Sequence, residues 1–376
     1  MDTKTNGFAN PADFRRYLPR WAAKISADVW LAIMSAAVVI GGGVYLGWDV
    51  SRRLIPYPTL GFRYLTERHN PLSFIANWDG VDYIHIAVHG YQNLFWVNWF
   101  PLYPVLIHLF GRLIPSPLDC ALIISWLCLV GAIYFYIKIV RRLFGLTGDV
   151  EPLRALVFFL LFPTGVFFIA PFSESLYALL ALGAIHFAFK KQWLYSAVLL
   201  LACTTTHITG MLVVLLVGMI LWEEKLRPKL VVATVAIGSL GLVAYMAYLA
   251  FAFDSPLAFL SSQEVFHKWT EVGYLTLVTS LTPSLVINIA LLLLAARYWW
   301  NRQRSFSIYS LLFLVIPLVG RQYGGFNRYV LMAFPVPFML YAVLRNRKGL
   351  FPYVMLLLGI GWTYYLIQYA GGYIGS

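Results

Sequence analysis

An all-α polytopic membrane protein is the fold class this 376-residue chain predicts, and three observations carry that reading. Of its residues 60% are hydrophobic and only 12% charged. Its mean hydropathy is +0.73, more apolar surface than a soluble core could hide. Windows of about 18 or more residues nearly free of charge recur along the chain, the length that crosses roughly 30 Å of hydrocarbon as helix. Strands of a membrane barrel would alternate polar and apolar residues, and these runs do not.

The net charge of +12 raises nucleic acid as a partner. The basic residues, however, sit in short clusters between apolar runs instead of forming a stripe, so they read as topology signals and no nucleic-acid partner is expected. Cys120, Cys128 and Cys203 fall inside apolar stretches with no CxxC spacing, which argues against a disulfide or a structural metal. The first 24 residues are polar and basic, without an apolar core or a small-residue cleavage site, so no cleaved signal peptide is expected. No internal repeat or soluble domain stands out, and residues 1–376 read as one membrane-embedded domain.

Basic clusters at Lys4 to Lys24, Lys138 with Arg141-Arg142, Lys190-Lys191, Lys225 to Lys229, Arg297 to Arg304 and Arg345 to Lys348 set the threading. If all face the cytoplasm, the apolar runs between them cross an even number of times. A span at about 27–48, a long outer segment 49–118 and a return at about 119–140 meet that condition. Pairs follow at 154–172 with 174–189, 193–206 with 210–223, 229–252 with 274–296, and 306–320 with 328–345, and a last span lies near 350–370. That makes about eleven spans, with about 20 of the 28 Lys and Arg inside and the N-terminus cytoplasmic. The apolar stretch from Phe100 to Ile114 would break the parity if it crossed, so it is expected as an interfacial or re-entrant helix. The short pieces 193–206 and 210–223, separated by Thr204 to Gly210, predict a broken hairpin packed against other helices.

Polar residues in such a chain need explaining. The run Trp78-Asp79-Gly80-Val81-Asp82-Tyr83-Ile84-His85-Ile86-Ala87-Val88-His89, taken as a helix, places Asp79, Asp82, His85 and His89 along one side. That predicts an amphipathic helix on the outer leaflet. Asp79 reads as a general base for an incoming hydroxyl, as a helix N-cap, or with Asp82, His85 and His89 as one face of a metal site. Glu174, at the outer junction of two spans, reads as facing a polar cavity or as a cap after Pro171. Arg321 and Arg328 bracket an outer loop, either as a phosphate clamp or snorkelling to headgroups. His207, among Thr204, Thr206 and Thr209, serves a polar cavity or is a satisfied structural group. The stretch from Phe253 to Trp269 reads as an interfacial loop with turn chemistry.

Several motifs in order resemble the PIG-V-like mannosyltransferases. They are Asn77-Trp78-Asp79-Gly80 to Gly90-Tyr91, Phe100-Pro101-Leu102-Tyr103-Pro104, Phe162-Pro163-Thr164 to Ser173-Glu174-Ser175-Leu176, Asp254-Ser255-Pro256-Leu257-Ala258-Phe259 with Gln263 and Trp269, and Asn327-Arg328-Tyr329 with Phe334-Pro335. The resemblance runs from about 77 to 338. It departs at His207, where the family often has arginine.

It implies a GT-C glycosyltransferase fold and transfer of a hexose, mannose by analogy, from a polyprenyl-phosphate-linked sugar donor to a lipid, glycan or protein hydroxyl. By that resemblance Asp79 is the catalytic base on the outer face, with Glu174 and Arg328 lining the same cavity. Asp82, His85, His207 and Arg321 are candidate substrate-binding residues beside them. A single base and direct displacement imply inversion at the anomeric carbon. No cofactor or obligatory metal is expected, and the absence of a P-loop or Rossmann glycine pattern fits a lipid-linked donor. Surrounding membrane lipids are the remaining partner, and the short outer loops favour a bacterial plasma membrane over the ER. The alternative from another class is a flippase for a lipid-linked sugar, which would carry intramembrane charges in both halves and internal symmetry.

Overall fold

The computed structural model describes residues 26–53, 70–262, 283–314, 326–347 and 349–371; among them there are helices, turns and no strand. In chain order the helices are α1 (Ala27–Arg53), α2 (Asp79–His89), α3 (Leu102–Phe110), α4 (Pro117–Phe144), α5 (Val150–Leu160), α6 (Glu174–Phe189) and α7 (Trp193–Thr206). They continue as α8 (Gly210–Glu223), α9 (Pro228–Phe253), α10 (Pro283–Trp299), α11 (Arg304–Leu312), α12 (Phe326–Tyr329), α13 (Pro335–Leu344) and α14 (Phe351–Ala370). Short 3₁₀ turns lie at Ser73–Ile75, Trp96–Asn98, Pro163–Phe168 and Val330–Met332. Predicted features at Lys4 to Lys24, 274–282, 315–320, Arg321 and Gln263 to Trp269 lie outside the described residues.

The boundaries follow local chemistry. Helix α4 begins at Ser116, whose hydroxyl accepts from the Asp119 amide at 3.0 Å, has Pro117 in its first turn, and ends at Gly145 in the left-handed region. Helix α9 starts at Pro228 and stops at Asp254, which takes the left-handed conformation that aspartate tolerates better than most residues.

Helices α1, α4, α9 and α14 are long and apolar enough to cross a membrane. At 28 residues α4 is about 42 Å long. More than half of its apolar window is buried (56%), against 17% for α1 and 11% for α14. So α4 belongs to the interior, while α1 and α14 present residues such as Val38, Tyr45, Tyr353 and Leu357 outward, as helices facing lipid do. Helix α6 is buried on nearly every side, the environment its all-round apolar sequence demands.

Several predicted spans are shorter or interrupted. The expected 154–172 span is α5 followed by the Pro163–Phe168 turn, and 328–345 is divided among α12, a 3₁₀ turn and α13. Pro163 and Pro335 supply no amide for a continuous ladder, and packing inside the protein lets the freed backbone groups find partners. The hairpin at 193–223 is broken as predicted, with His207 extended between α7 and α8. Residues 100–115 contain only the nine-residue α3, about 13 Å long and too short to span. Its Tyr103 is not interfacial: it is fully buried and donates to the Ala121 carbonyl at 2.9 Å.

Side-chain contacts distinguish two ends of the bundle. At one, Asp28 at the start of α1 meets Lys138 and Arg141 near the end of α4, at 2.6 and 2.8 Å. Arg142 pairs with Glu224 beyond α8 at 2.5 Å, Glu223 accepts from Ser305 at the start of α11, and Tyr341 near the end of α13 donates to Glu151 in α5. These are the segments that carry the basic clusters. The opposite end gathers the residues before α2, the starts of α6 and α8, Arg328, and the end of α14.

Candidate active site

Asn77, Trp78 and Asp79 are held by groups distant in sequence. The Asn77 side chain donates to the Phe74 and Tyr369 carbonyls, both at 2.9 Å, and the Tyr369 hydroxyl donates to the Ile75 carbonyl at 2.8 Å. The last helix thus clamps the segment that enters α2. Trp78 is the N-cap of α2, with φ 53 and ψ −130 and no side-chain capping bond. Positive φ in so bulky a residue is strained and persists only where the surroundings impose it.

Gly80 explains how α2 reaches its position. A Cβ there would lie 2.9 Å from Pro171 Cγ and 3.3 Å from the Phe172 ring. Glycine allows the first turn of α2 to press on the segment that leads into α6. Gly80→Ala is therefore expected to cost about 1–3 kcal/mol by overpacking and to displace Asp79; a thermal melt equal to that of wild type would contradict this.

That leading segment is fixed in turn. Ser125 of α4 donates to the Phe172 carbonyl at 3.1 Å, Trp126 Nε1 donates to the Ile169 carbonyl at 2.9 Å, and Ser175 Oγ donates to the Phe168 carbonyl at 2.6 Å. The Ser173 hydroxyl does not cap α6 and instead bonds the Tyr83 hydroxyl of α2 at 2.8 Å. Glu174 starts α6 with 2% exposure, so the expectation of a simple solvent-side cap gives way to a buried carboxylate.

Arg328 joins the two. Its Nη1 donates to Asp79 Oδ2 at 2.5 Å, and its Nε lies 3.1 Å from Glu174 Oε1, an ion pair whose angle is too poor for a hydrogen bond. The arginine is 8% exposed and Asp79 9%. Snorkelling to headgroups is therefore excluded for Arg328. The neighbouring backbone is anchored by Thr164, which donates to the Asn327 carbonyl at 3.2 Å, and by Asn288, which donates to the Asn327 side chain at 2.7 Å. Three residues from distant parts of the chain thus form one buried chain of charge, Asp79–Arg328–Glu174.

The expected amphipathic face of α2 is only partly realised. Asp79 turns inward to Arg328, and Val81, Tyr83, Ile84, Ile86 and Ala87 are buried as well, so α2 is embedded in protein more than laid on a surface. Asp79 does not act as the N-cap, a position held by Trp78. His85 stacks on Trp96, with ring centroids 4.2 Å apart, and donates from Nε2 to Gln92 Oε1 at 3.3 Å; His89 lies 4.6 Å from it. Among the described residues no three His, Cys, Asp or Glu side chains come together in a metal-holding arrangement. His207 borders the charge chain through Tyr329, 5.5 Å away, and its Nδ1 accepts from the Thr209 amide at 3.1 Å. Sequence reasoning missed Tyr369, Tyr83 and Ser173; the Asn77 and Gly80 beside Asp79 were the only local signals of a tightly held turn.

With this geometry in place the chain can be set against known proteins. Residues 64–225 match the family described as mannosyltransferase (PIG-V). That stretch is similar to the PIG-V mannosyltransferases. The chain is also 27% identical over 197 residues to GPI mannosyltransferase 2 of Aspergillus fumigatus. That match covers 51% of this chain and 38% of the relative's own length. The PIG-V match includes Asp79, Asp82, His85, Glu174 and His207 and stops short of Arg328, which its ion pairs bring to Asp79 and Glu174.

Within the PIG-V region Asp82 has a distinct electrostatic signature. Burial pushes its carboxyl well above the usual carboxylate range, and the Asp79 charge adds to the shift. A carboxyl raised in the folded state stabilises that state fully below its ordinary value of 3.8 and loses the contribution as pH rises through the raised value. Asp82→Asn cannot ionise, so it is expected to hold its stability above about pH 4 where wild type declines. Melting temperatures against pH check this, and parallel curves for the two proteins would contradict it.

Proposed function

We propose that this protein transfers mannose from a polyprenyl-phosphate-linked donor to an acceptor hydroxyl, with Asp79 as general base. The observation that carries the reading is the Asp79–Arg328–Glu174 chain at the end of the bundle opposite the basic clusters. The positive-inside tendency of the basic clusters supports an extracytoplasmic position for that end and a cytoplasmic N-terminus.

Arg328 takes up Asp79 Oδ2, which leaves Oδ1 to receive the acceptor proton. The acceptor oxygen then attacks the anomeric carbon, the bond from that carbon to the phosphate oxygen breaks, and the lipid phosphate leaves with the bonding electrons. One displacement inverts the anomeric configuration. Arg328 serves here first to position Asp79, because two carboxylates already occupy its charge. The aromatic and carboxylate groups on the other face of α2, Asp82 and His85, and His207 beside Tyr329 are assigned to the surrounding substrate site. No obligatory metal takes part, and activity should survive EDTA. The acceptor hydroxyl belongs to a lipid, a glycan or a protein, and short outer loops support a bacterial plasma membrane as the setting.

The test is transfer by the purified protein in liposomes, offered either polyprenyl phosphate mannose or a nucleotide-linked mannose with a mixed pool of glycolipid and peptide acceptors. Transfer from the lipid-linked donor alone, with inverted product, is expected. Transfer from the nucleotide donor alone, or retention of configuration, would overturn the proposal.

A further inference from the structure

Three side-chain atoms in and beside the charge chain are buried without a hydrogen-bond partner: Arg328 Nε, which is held in the ion pair with Glu174, Trp78 Nε1, which can only donate, and Glu174 Oε2, which as a carboxylate oxygen accepts. Orphaned buried polar atoms are rare in folded proteins and mark places where another group belongs. Trp78 adds a second, independent sign, its strained backbone at φ 53. A residue held in such a conformation beside a functional carboxylate is held there for a purpose that relaxed packing would not meet. Glu174 Oε1 is engaged by Arg328 at 3.1 Å, so its carboxylate is anchored through one oxygen and open through the other.

An indole donor on the residue next to the base, and a carboxylate acceptor joined to it through Arg328, are the complement of a sugar ring, whose hydroxyls each donate one hydrogen bond and accept others. A hydrocarbon chain would satisfy neither atom. We propose that Trp78 and Glu174 are the hydroxyl-recognition pair of the site: Trp78 Nε1 donates to the oxygen of one hydroxyl of the transferred pyranose, and Glu174 Oε2 accepts from a different one. This rests on the mannosyl-transfer reading and adds a specificity role for Trp78 that Asp79 chemistry does not require. The indole body packs against the main hydrophobic cluster; phenylalanine removes the N–H together with part of the ring, and that packing loss falls equally on every donor, whereas loss of the hydrogen bond does not.

The experiment compares wild type, Trp78→Phe and Glu174→Gln on polyprenyl phosphate mannose and on its 2-, 3-, 4- and 6-deoxy forms, reading kcat/KM for each. Trp78→Phe should lose roughly 10-fold on the intact donor, the value of one hydrogen bond to substrate. It should lose nothing further on one particular deoxy donor, the one that lacks the indole's partner. Glu174→Gln should show the same pattern at a different position. An equal loss on every donor, or none, would mean a merely structural role and overturn the proposal. Should Trp78→Phe fail to fold, the wild-type series decides: two deoxy positions should stand out, and a flat series overturns it. No transfer by wild type from the intact donor would instead sink the mannosyl-transfer reading, and this inference with it.

Discussion

Arg328→Met is expected to destabilise the folded protein by about 3–5 kcal/mol, because it removes the cation that lies between two buried carboxylates. Methionine approximates the length of the side chain, so lost packing is a small part of the change. The effect should be strongly coupled to Glu174. In the Arg328→Met background, Glu174→Gln removes one of the stranded charges and should recover part of the loss, although the same change alone in wild type weakens the ion pair. A double-mutant cycle by reversible denaturation in detergent measures this coupling. Additive effects would contradict a shared charge chain. Arg328→Lys should recover little, since an ammonium cannot place separate nitrogens on Asp79 Oδ2 and Glu174 Oε1 as the fork of a guanidinium does.

The two ends of the bundle were legible from the chain because charge parity depends only on the order of basic clusters and apolar runs. Lys138, Arg141, Arg142 and Arg345 needed no knowledge of packing to be assigned to one side. The motifs around Asp79, Glu174 and Asn327-Arg328 were legible through resemblance, which named them as one cavity. Their direct pairing was not legible, since a 249-residue separation between Asp79 and Arg328 leaves no local trace in either segment.

Helical periodicity grouped Asp79 with Asp82, His85 and His89, and that grouping failed at Asp79 for a physical reason. Asp79 sits in the first turn, where the strained Trp78 and the close contact of Gly80 with Pro171 orient it, and tertiary contact outweighs the amphipathic pattern there. The interruptions after Leu160 and around Val330 were hidden similarly. Pro163 and Pro335 were visible, but an apolar window average does not register a broken hydrogen-bond ladder.

The largest functional effect is expected at Asp79 itself. Asparagine preserves the size of the side chain and can still meet Arg328 through its carbonyl oxygen, but it cannot take a proton from a hydroxyl. A positioned general base contributes typically about 10²–10⁴-fold, and Asp79→Asn should lower the transfer rate by a factor in that range with a much smaller change in KM. Loss of the charged pair with Arg328 will also reduce stability, so the variant must be shown to be folded and inserted before its rate is read.

The most direct measurement is therefore mannosyl transfer from radiolabelled polyprenyl phosphate mannose by wild type and Asp79→Asn, reconstituted in the same liposomes at matched amounts of folded protein. The Asp79 mechanism predicts robust transfer by wild type and a residual rate about 10²–10⁴-fold lower for the variant. Equal transfer by the two proteins would contradict it.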